Sequence, residues 1–272
     1  MQSSRVKVLD HGYVELVEAW GADERIIEAA RMSTGKGFQG WMKCPDCGTV
    51  LSEPQRHTSA PGVFCPNVNV LVEADLKLLA YLYRHKHMTP FEMCGATFEV
   101  MAPIFVYREW HRHRTQSYNE MSARYIPLPD VDYVPDVEDL VKRSGAAANS
   151  KNRQASGGGA VLDHAAAQEW QDKLRMAYHM AQKVYEEGLL RGVPKELARL
   201  PVTVGRYSRM RASANLRNWM QFLELRLAPT AQQEIRLYGQ AVQSLLTEKF
   251  PRTMDLFTTS RRDEMHAKAG LS

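Results

Sequence analysis

Trp110 to Tyr125 reads WHRHRTQSYNEMSARY, which places three Arg, two His, two Ser, an Asn and a Glu in sixteen positions with almost nothing apolar. A packed core does not have this composition. An isolated run of charge is ordinarily a solvated, salt-bridged helix end, but the polar groups here are too varied for that. Arg forks grip phosphate or carboxylate bidentately, and Ser, Asn and backbone N–H groups add neutral donors. The mixture suits a nucleotide monophosphate or a dinucleotide pyrophosphate, and charge alone identifies neither.

Outward from this stretch, Pro103 suits the first turn of a helix from Ile104 to about Arg112, preceded by a strand through Thr97, Phe98, Glu99 and Val100. Leu76, Leu79, Leu82 and Tyr83 have helical spacing, and residues 13–31 read as a strand followed by a helix with Ile26, Ile27, Ala29 and Ala30 on its apolar side. On the C-terminal side, Asp163 can cap a long helix whose Trp170, Leu174, Ala177, Ala181 and Val184 form a core or interface stripe. Pro194 opens a short helix, Val202 to Tyr207 alternates as a strand does, and Asn215 can cap a helix through Leu225. A capping box at Thr230 and Gln233 starts the last long helix, which Pro251 stops, leaving a polar, frayed tail after Thr258. Two stretches lack periodicity: a Cys/Gly/Pro-rich insertion over 36–69 and a Gly/Ala/Ser-rich flexible loop over 135–160. The whole reads as one domain over 1–272, mixed α and β, with helices dominating.

The chain has 272 residues, 24% of them charged and 44% hydrophobic, which excludes collagen-like, coiled-coil and wholly disordered classes. No apolar run reaches the length of a membrane span and MQSSRVKVLDHG lacks the apolar core of a signal peptide, so the expected compartment is the cytoplasm. The net charge of +4 is concentrated: Arg191 to Arg226 alone carries +6, and an anion is expected there. That basic half and the cysteines admit a non-enzymatic nucleic-acid-binding reading. It predicts basic stripes with interleaved aromatics, however, whereas this chain clusters Arg with Ser, Asn and Glu.

Arg112-His113-Arg114, seven residues, then Ser122, extended by Ser117, Asn119, Glu120, Arg124 and Tyr125, resembles the signature of the flavin-dependent thymidylate synthases. AARMS (29–33), HMTPFE (87–92), APIFV (102–106) and NLRNWMQFLELR (215–226) extend the resemblance. It implies an α+β fold of mixed helices and antiparallel sheet, and a homotetramer whose shared sites bring together FAD, dUMP and folate. The implied reaction is reductive methylation of dUMP to dTMP, with methylenetetrahydrofolate as carbon donor and NADPH as reductant. Matched to flavin-contacting positions are Thr89, Arg112, His113, Arg114, Glu120, Asn215, Arg217 and Gln221, the last replacing the family's usual Asn. Matched to dUMP are Glu109, Trp110, His111, Arg112, the run Glu120, Met121, Ser122, Ala123, Arg124, then Arg199 and Arg226. Arg124 and Arg199 are the expected phosphate ligands. Arg226 is the expected catalytic residue, a fixed cation facing the uracil ring where negative charge develops. Ser122 has no base placed beside it and is assigned to positioning, and Cys94 reads as a small buried residue.

Glu109 stands where the family usually has Gln, and a carboxylate there repels a phosphate dianion unless paired, with Arg108 or Arg112 the candidates. It is the sequence feature that favours a related enzyme making another 5-substituted pyrimidine nucleotide. The pairs His85/His87 and His111/His113 point to different faces of a helix, so no catalytic metal is expected. Cys44-Pro-Asp-Cys47-Gly resembles a zinc-ribbon knuckle, but Cys65-Pro-Asn-Val68 has Val at the fourth ligand position. Closure there needs His57 or an outside ligand, and structural zinc and a vestigial knuckle both stay open.

Overall fold

The computed structural model describes residues 4–44, 46–47, 49–51, 58–60, 62–65, 74–148 and 161–268. In chain order these form β1 (Arg5–Val8), β2 (Gly12–Trp20), α1 (Asp23–Ala30), β3 (Met42–Lys43), β4 (Val50–Leu51), β5 (Thr58–Ala60), β6 (Val63–Phe64), α2 (Ala74–Arg84), β7 (Gly95–Pro103), α3 (Ile104–Trp110) and β8 (Ser117–Glu120). They continue as α4 (Val137–Ala148), α5 (His164–Leu190), α6 (Lys195–Ala198), β9 (Tyr207–Asn215), α7 (Leu216–Arg226), α8 (Gln233–Lys249) and α9 (Pro251–Lys268). The main sheet has five strands in the order β1-β2-β7-β9-β8, with β1 and β2 antiparallel. The expected mixture of helices and sheet, helices dominating, is what the chain adopts.

The chain groups into two compact units, each assembled from three stretches. The first comprises Met1–Val17, Phe98–Ala212 and Leu225–Val242, and the second Glu18–Thr97, Ser213–Glu224 and Gln243–Ser272.

In the first unit, α3 is bolted down by Tyr107, whose fully buried hydroxyl accepts from Ala102 N at 3.1 Å and lies 2.7 Å and 2.8 Å from the carbonyls of Val100 and Ser208. Burial pushes this phenol well above its usual pKa, so it stays a neutral donor. The N-terminus of α3 takes its acceptors from a stretch about a hundred residues further along the chain. Ile104 N donates to Arg206 O and Phe105 N to Val204 O, both at 3.0 Å. This explains why Val202 to Tyr207, read as a strand, is not one: its carbonyls satisfy the orphan N–H groups of a helix end, and the strand begins at Tyr207. The Arg206 side chain, 1% exposed, pairs with Asp130 and Asp132 at 3.2 and 3.1 Å and donates to Pro129 O at 2.9 Å.

Within 135–160, expected to be a flexible loop, Val137–Ala148 is helix α4. Glu138 and Asp139 favour its first turn through the helix dipole, and Val137, Leu140 and Val141 recur at helical spacing; the Gly and Ala that suggested a loop are tolerated within it. Residues 149–160 lie outside the described residues. Asp163 caps α5 as expected, accepting from Ala166 N at 2.8 Å.

In the second unit, Ile26 and Ile27 of α1 are fully buried. Asp23 at its start is 2% exposed and accepts from Arg252 N at 2.8 Å, Thr253 N at 3.2 Å and the Thr253 hydroxyl at 2.6 Å. A residue from one end of the sequence thereby caps α9 at the other. Pro251 follows the end of α8 at Lys249, as expected of a helix stop, and it also opens a further helix, so the tail expected to fray after Thr258 stays helical to Lys268. Asn215 caps α7 as expected, Oδ1 accepting from Asn218 N at 2.9 Å.

Two small hairpins, β3 with β4 and β5 with β6, make up the described part of the insertion. Its entry is anchored by Trp41, 4% exposed, whose Nε1 donates to Glu24 at 2.7 Å under the Arg252 guanidinium. His57 and Val68 lie outside the described residues.

Candidate active site

The first unit carries a cleft of about 540 Å³ lined by Ile104 and Arg108 of α3, by Glu120, Met121, Ser122 and Ala123 at the end of β8 and the turn beyond, and by Leu128, Arg199, Leu200 and Val202. Five of the residues matched to dUMP line it: Glu120, Met121, Ser122, Ala123 and Arg199. Arg124 is not among the lining groups. Its backbone N donates to Ser122 Oγ at 3.4 Å and its guanidinium lies 5.7 Å from the Tyr125 ring centre. Arg108 brings a second guanidinium to the cleft beside Arg199. Sequence reading missed it as a site residue, although its spacing of four from Ile104 places both on one face of α3.

Arg226, the last residue of α7, belongs to the same unit. Its Nε donates to His113 Nε2 at 2.9 Å, Nη1 to Glu109 Oε2 at 3.1 Å and Nη2 to the Glu109 carbonyl at 2.8 Å. Glu109 is thus a paired carboxylate, and its partner is Arg226 rather than Arg108 or Arg112. A guanidinium has five N–H donors in a rigid fork, so three are spent on orientation and two remain for a ligand. Burial lowers the Arg226 pKa, opposed by the Glu109 charge, and the group stays cationic because an arginine starts so far above neutrality.

His113 is 8% exposed, and burial, aided by the adjacent Arg226 charge, pulls its pKa down to about 4. It is therefore a neutral acceptor near pH 7. The turn that presents it is held by the Tyr118 hydroxyl, 2.7 Å from His113 O and 3.1 Å from Trp110 O, and by Trp110 Nε1 donating to Gln116 at 3.1 Å. The Trp110 indole is fully buried against Tyr238, so its part is to support the turn. His111, exposed, stacks on Tyr107 and sits 3.1 Å from the Met210 sulfur.

A family model, thymidylate synthase complementing protein (Thy1), matches residues 15–252. The flavin-dependent thymidylate synthase of Ehrlichia ruminantium (strain Gardel) is 34% identical over 251 residues, 92% of this chain and 72% of that protein. That of Thermus thermophilus is 37% identical over 246 residues, 90% of this chain and 75% of that one. Among solved structures, the UMP/dUMP methylase PolB from Streptomyces cacaoi bound with 5-Br dUMP superposes with a TM-score of 0.70 at 30% identity, covering 93% of this chain and 97% of that one. The chain belongs to the flavin-dependent thymidylate synthase family.

Its flavin-matched residues divide between the two units. Arg112, His113, Arg114 and Glu120 lie in the first, and Thr89, Asn215, Arg217 and Gln221 in the second. Members of this family are named for a flavin, and the donor chemistry fits one. Arg112, Arg114, Thr89 and Gln221 are exposed, and neither Arg112 nor Arg114 forms an ion pair among the described residues. Others are partly committed: His113 Nε2 to Arg226, Asn215 Oδ1 to its own helix cap, and Arg217 to Glu92. Asn215 keeps its amide NH₂ and Arg217 its other donors for a ligand. Cys94 is buried, donates to Ala22 O at 3.3 Å and has its pKa raised to about 11 by desolvation, which leaves it a thiol and not a nucleophile.

Proposed function

We propose that this enzyme methylates dUMP at C5 to give dTMP, with FAD, methylenetetrahydrofolate and NADPH as the participants the family resemblance implies. The observation that carries the reading is the placement, in one unit, of the signature residues Glu120 to Ala123 beside two cleft guanidiniums, together with Arg226 fixed by three hydrogen bonds with two donors to spare. Arg199 and Arg108 hold the phosphate as charge-assisted donors. Glu120 and Ser122 orient the nucleotide. Arg226 stabilises negative charge developing on the uracil ring, and because Glu109 and His113 hold it beforehand, no reorganisation is needed as the charge appears. Glu109 acts through Arg226 and is a positioning residue.

When bound, a flavin would supply the reducing equivalent that completes the methyl group. Thr89, Arg112, His113, Arg114, Glu120, Asn215, Arg217 and Gln221 would hold it, in a homotetramer with shared sites located in the cytoplasm. Purified protein should be yellow and should convert dUMP to dTMP, identified by mass, only when both methylenetetrahydrofolate and NADPH are present. Colourless protein that binds no FAD, or a product of another mass, would overturn the reading.

A second reading is favoured by one observation. The 5-Br UMP complex of the same Streptomyces methylase also resembles this chain, with a TM-score of 0.68 at 28% identity over 94% of it. If the ribonucleotide is accepted here too, UMP and dUMP will be turned over at comparable kcat/KM; a strong preference for dUMP removes that reading.

A further inference from the structure

The insertion contains three thiols that converge without any role in the reaction above. Cys44 and Cys47 lie in the loop of the β3–β4 hairpin and Cys65 follows β6, yet their three sulfurs lie within 4.8 Å of one another, with Cys44 and Cys65 3.6 Å apart. None forms a disulfide, and 3.6 Å is far beyond the roughly 2.05 Å of an S–S bond. It is close instead to the edge of a tetrahedron whose vertices lie about 2.3 Å from a central zinc, an edge of about 3.8 Å. Cys44 and Cys65 are 1% and 6% exposed. The loop is already shaped for a metal thiolate: Cys44 N donates to Thr49 O at 3.0 Å, the Asp46 and Cys47 N–H groups bond the Cys44 sulfur, and Cys47 Sγ lies 3.2 Å from the Thr49 hydroxyl.

A second observation says why such a staple is needed. The two hairpins have strands of only two or three residues, and an isolated two-stranded hairpin is marginal in water. The large apolar side chains of β6 do not form a core, since Val63 and Phe64 are 54% and 72% exposed. Small substructures that cannot bury enough apolar surface are commonly held by a metal.

We infer that Cys44, Cys47 and Cys65 bind one Zn²⁺ as thiolates in a structural site that holds the two hairpins together. The chain has one other cysteine, Cys94, and its sulfur is engaged with Ala22 O, so the fourth ligand is a nitrogen or an oxygen. Binding releases the three thiol protons, which makes the site weaker at acid pH. Being tetrahedral and thiolate-rich, it serves folding and not Lewis-acid chemistry.

The test uses the full chain produced in zinc-supplemented medium without a histidine tag. Metal analysis should find about one zinc per chain, and zinc-edge absorption should resolve three sulfurs at about 2.3 Å and one lighter ligand at about 2.0–2.1 Å. Cys65→Ser and the double variant Cys44→Ser/Cys47→Ser should lose at least tenfold of the metal, while Cys94→Ala keeps it. Because the variants can misfold, chelation of the unmodified protein is the second measurement: stripping zinc should accelerate proteolysis between Lys36 and Asn69, and adding zinc back should restore protection. Zinc well below stoichiometry, zinc retained in the cysteine variants, or intact mass showing a Cys44–Cys65 disulfide would each overturn the assignment.

Discussion

Arg226 and the cysteine cluster each draw polar groups together away from bulk water, with opposite means of holding them there. Around Arg226 the chain balances itself: a carboxylate, a carbonyl and a neutral imidazole from α3 and the turn beyond it take three of five donors. Around Cys44 three sulfurs face one another, and the compensating charge has to come from an ion. A site completed by the chain is formed before any ligand arrives and is available for transition-state work. A site completed by a metal is formed only when the metal binds, so its binding energy goes into local folding.

The first site can be broken most severely at its centre. Arg226→Ala should lower turnover roughly a hundredfold or more, as loss of a charge-stabilising donor does, with dUMP still bound and the far-ultraviolet spectrum unchanged; steady-state kinetics checks this, and unaltered turnover would remove Arg226 from catalysis. Next in size, Arg199→Ala or Arg108→Ala should weaken dUMP by tens of fold, about 1.5–3 kcal/mol for a hydrogen bond to a charged group. Deoxyuridine, which has no phosphate, should be almost unaffected, and equal losses for both ligands would show that the cleft does not take the phosphate.

Glu109→Gln sharpens the contrast, because it restores the amide usual in the family while removing the charge that holds Arg226. A drop of about tenfold in kcat with little change in KM is expected, of the order of one charge-assisted contact; a rise in dUMP affinity with unchanged kcat would mean that Glu109 acts on phosphate instead. The smallest effect concerns His113. Its folded pKa of about 4 lies below the unfolded value near 6.5, so the unfolded chain takes up this proton first as pH falls. The stability held above pH 6.5 is therefore lost progressively towards pH 4. From pH 6 to pH 5 this amounts to about 1 kcal/mol, measurable as a fall in urea midpoint that His113→Asn should flatten.

What the sequence made legible follows the same division between local and distant partners. The signature, the Asp163 and Asn215 caps, and the strand-helix readings on either side of Gly21 and at Pro103 all depend on neighbours a few residues away. The Glu109–Arg226 pair spans 117 positions and the Asp23–Thr253 clasp 230, and no periodicity encodes either. For that reason Pro251 is legible as the stop of α8 but not as the start of α9, and the sequence points to the neighbours Arg108 and Arg112 as partners for Glu109 rather than to Arg226. Val202 to Tyr207 misled for a related reason, since alternation along a segment does not say whether its carbonyls will meet a strand or the end of a helix. Arg108 was visible in the sequence as a charge, and only the fold shows that it shares a cleft with Arg199.

The threefold interleaving of the two units has a consequence for how the molecule is made. Each unit takes its final stretch from beyond Ser213, so a nascent chain shorter than this can complete neither of them, however long β1, β2 and α1 have been outside the ribosome. With synthesis proceeding at about 5–20 residues per second, those early segments wait for seconds with apolar groups such as Val14, Ile26 and Ile27 lacking the surroundings that bury them in the finished protein. Long-range contacts of this kind slow folding, and truncation near the C-terminus costs more than its length suggests: without Arg252 and Thr253, the Asp23 carboxylate at the other end loses its cap contacts.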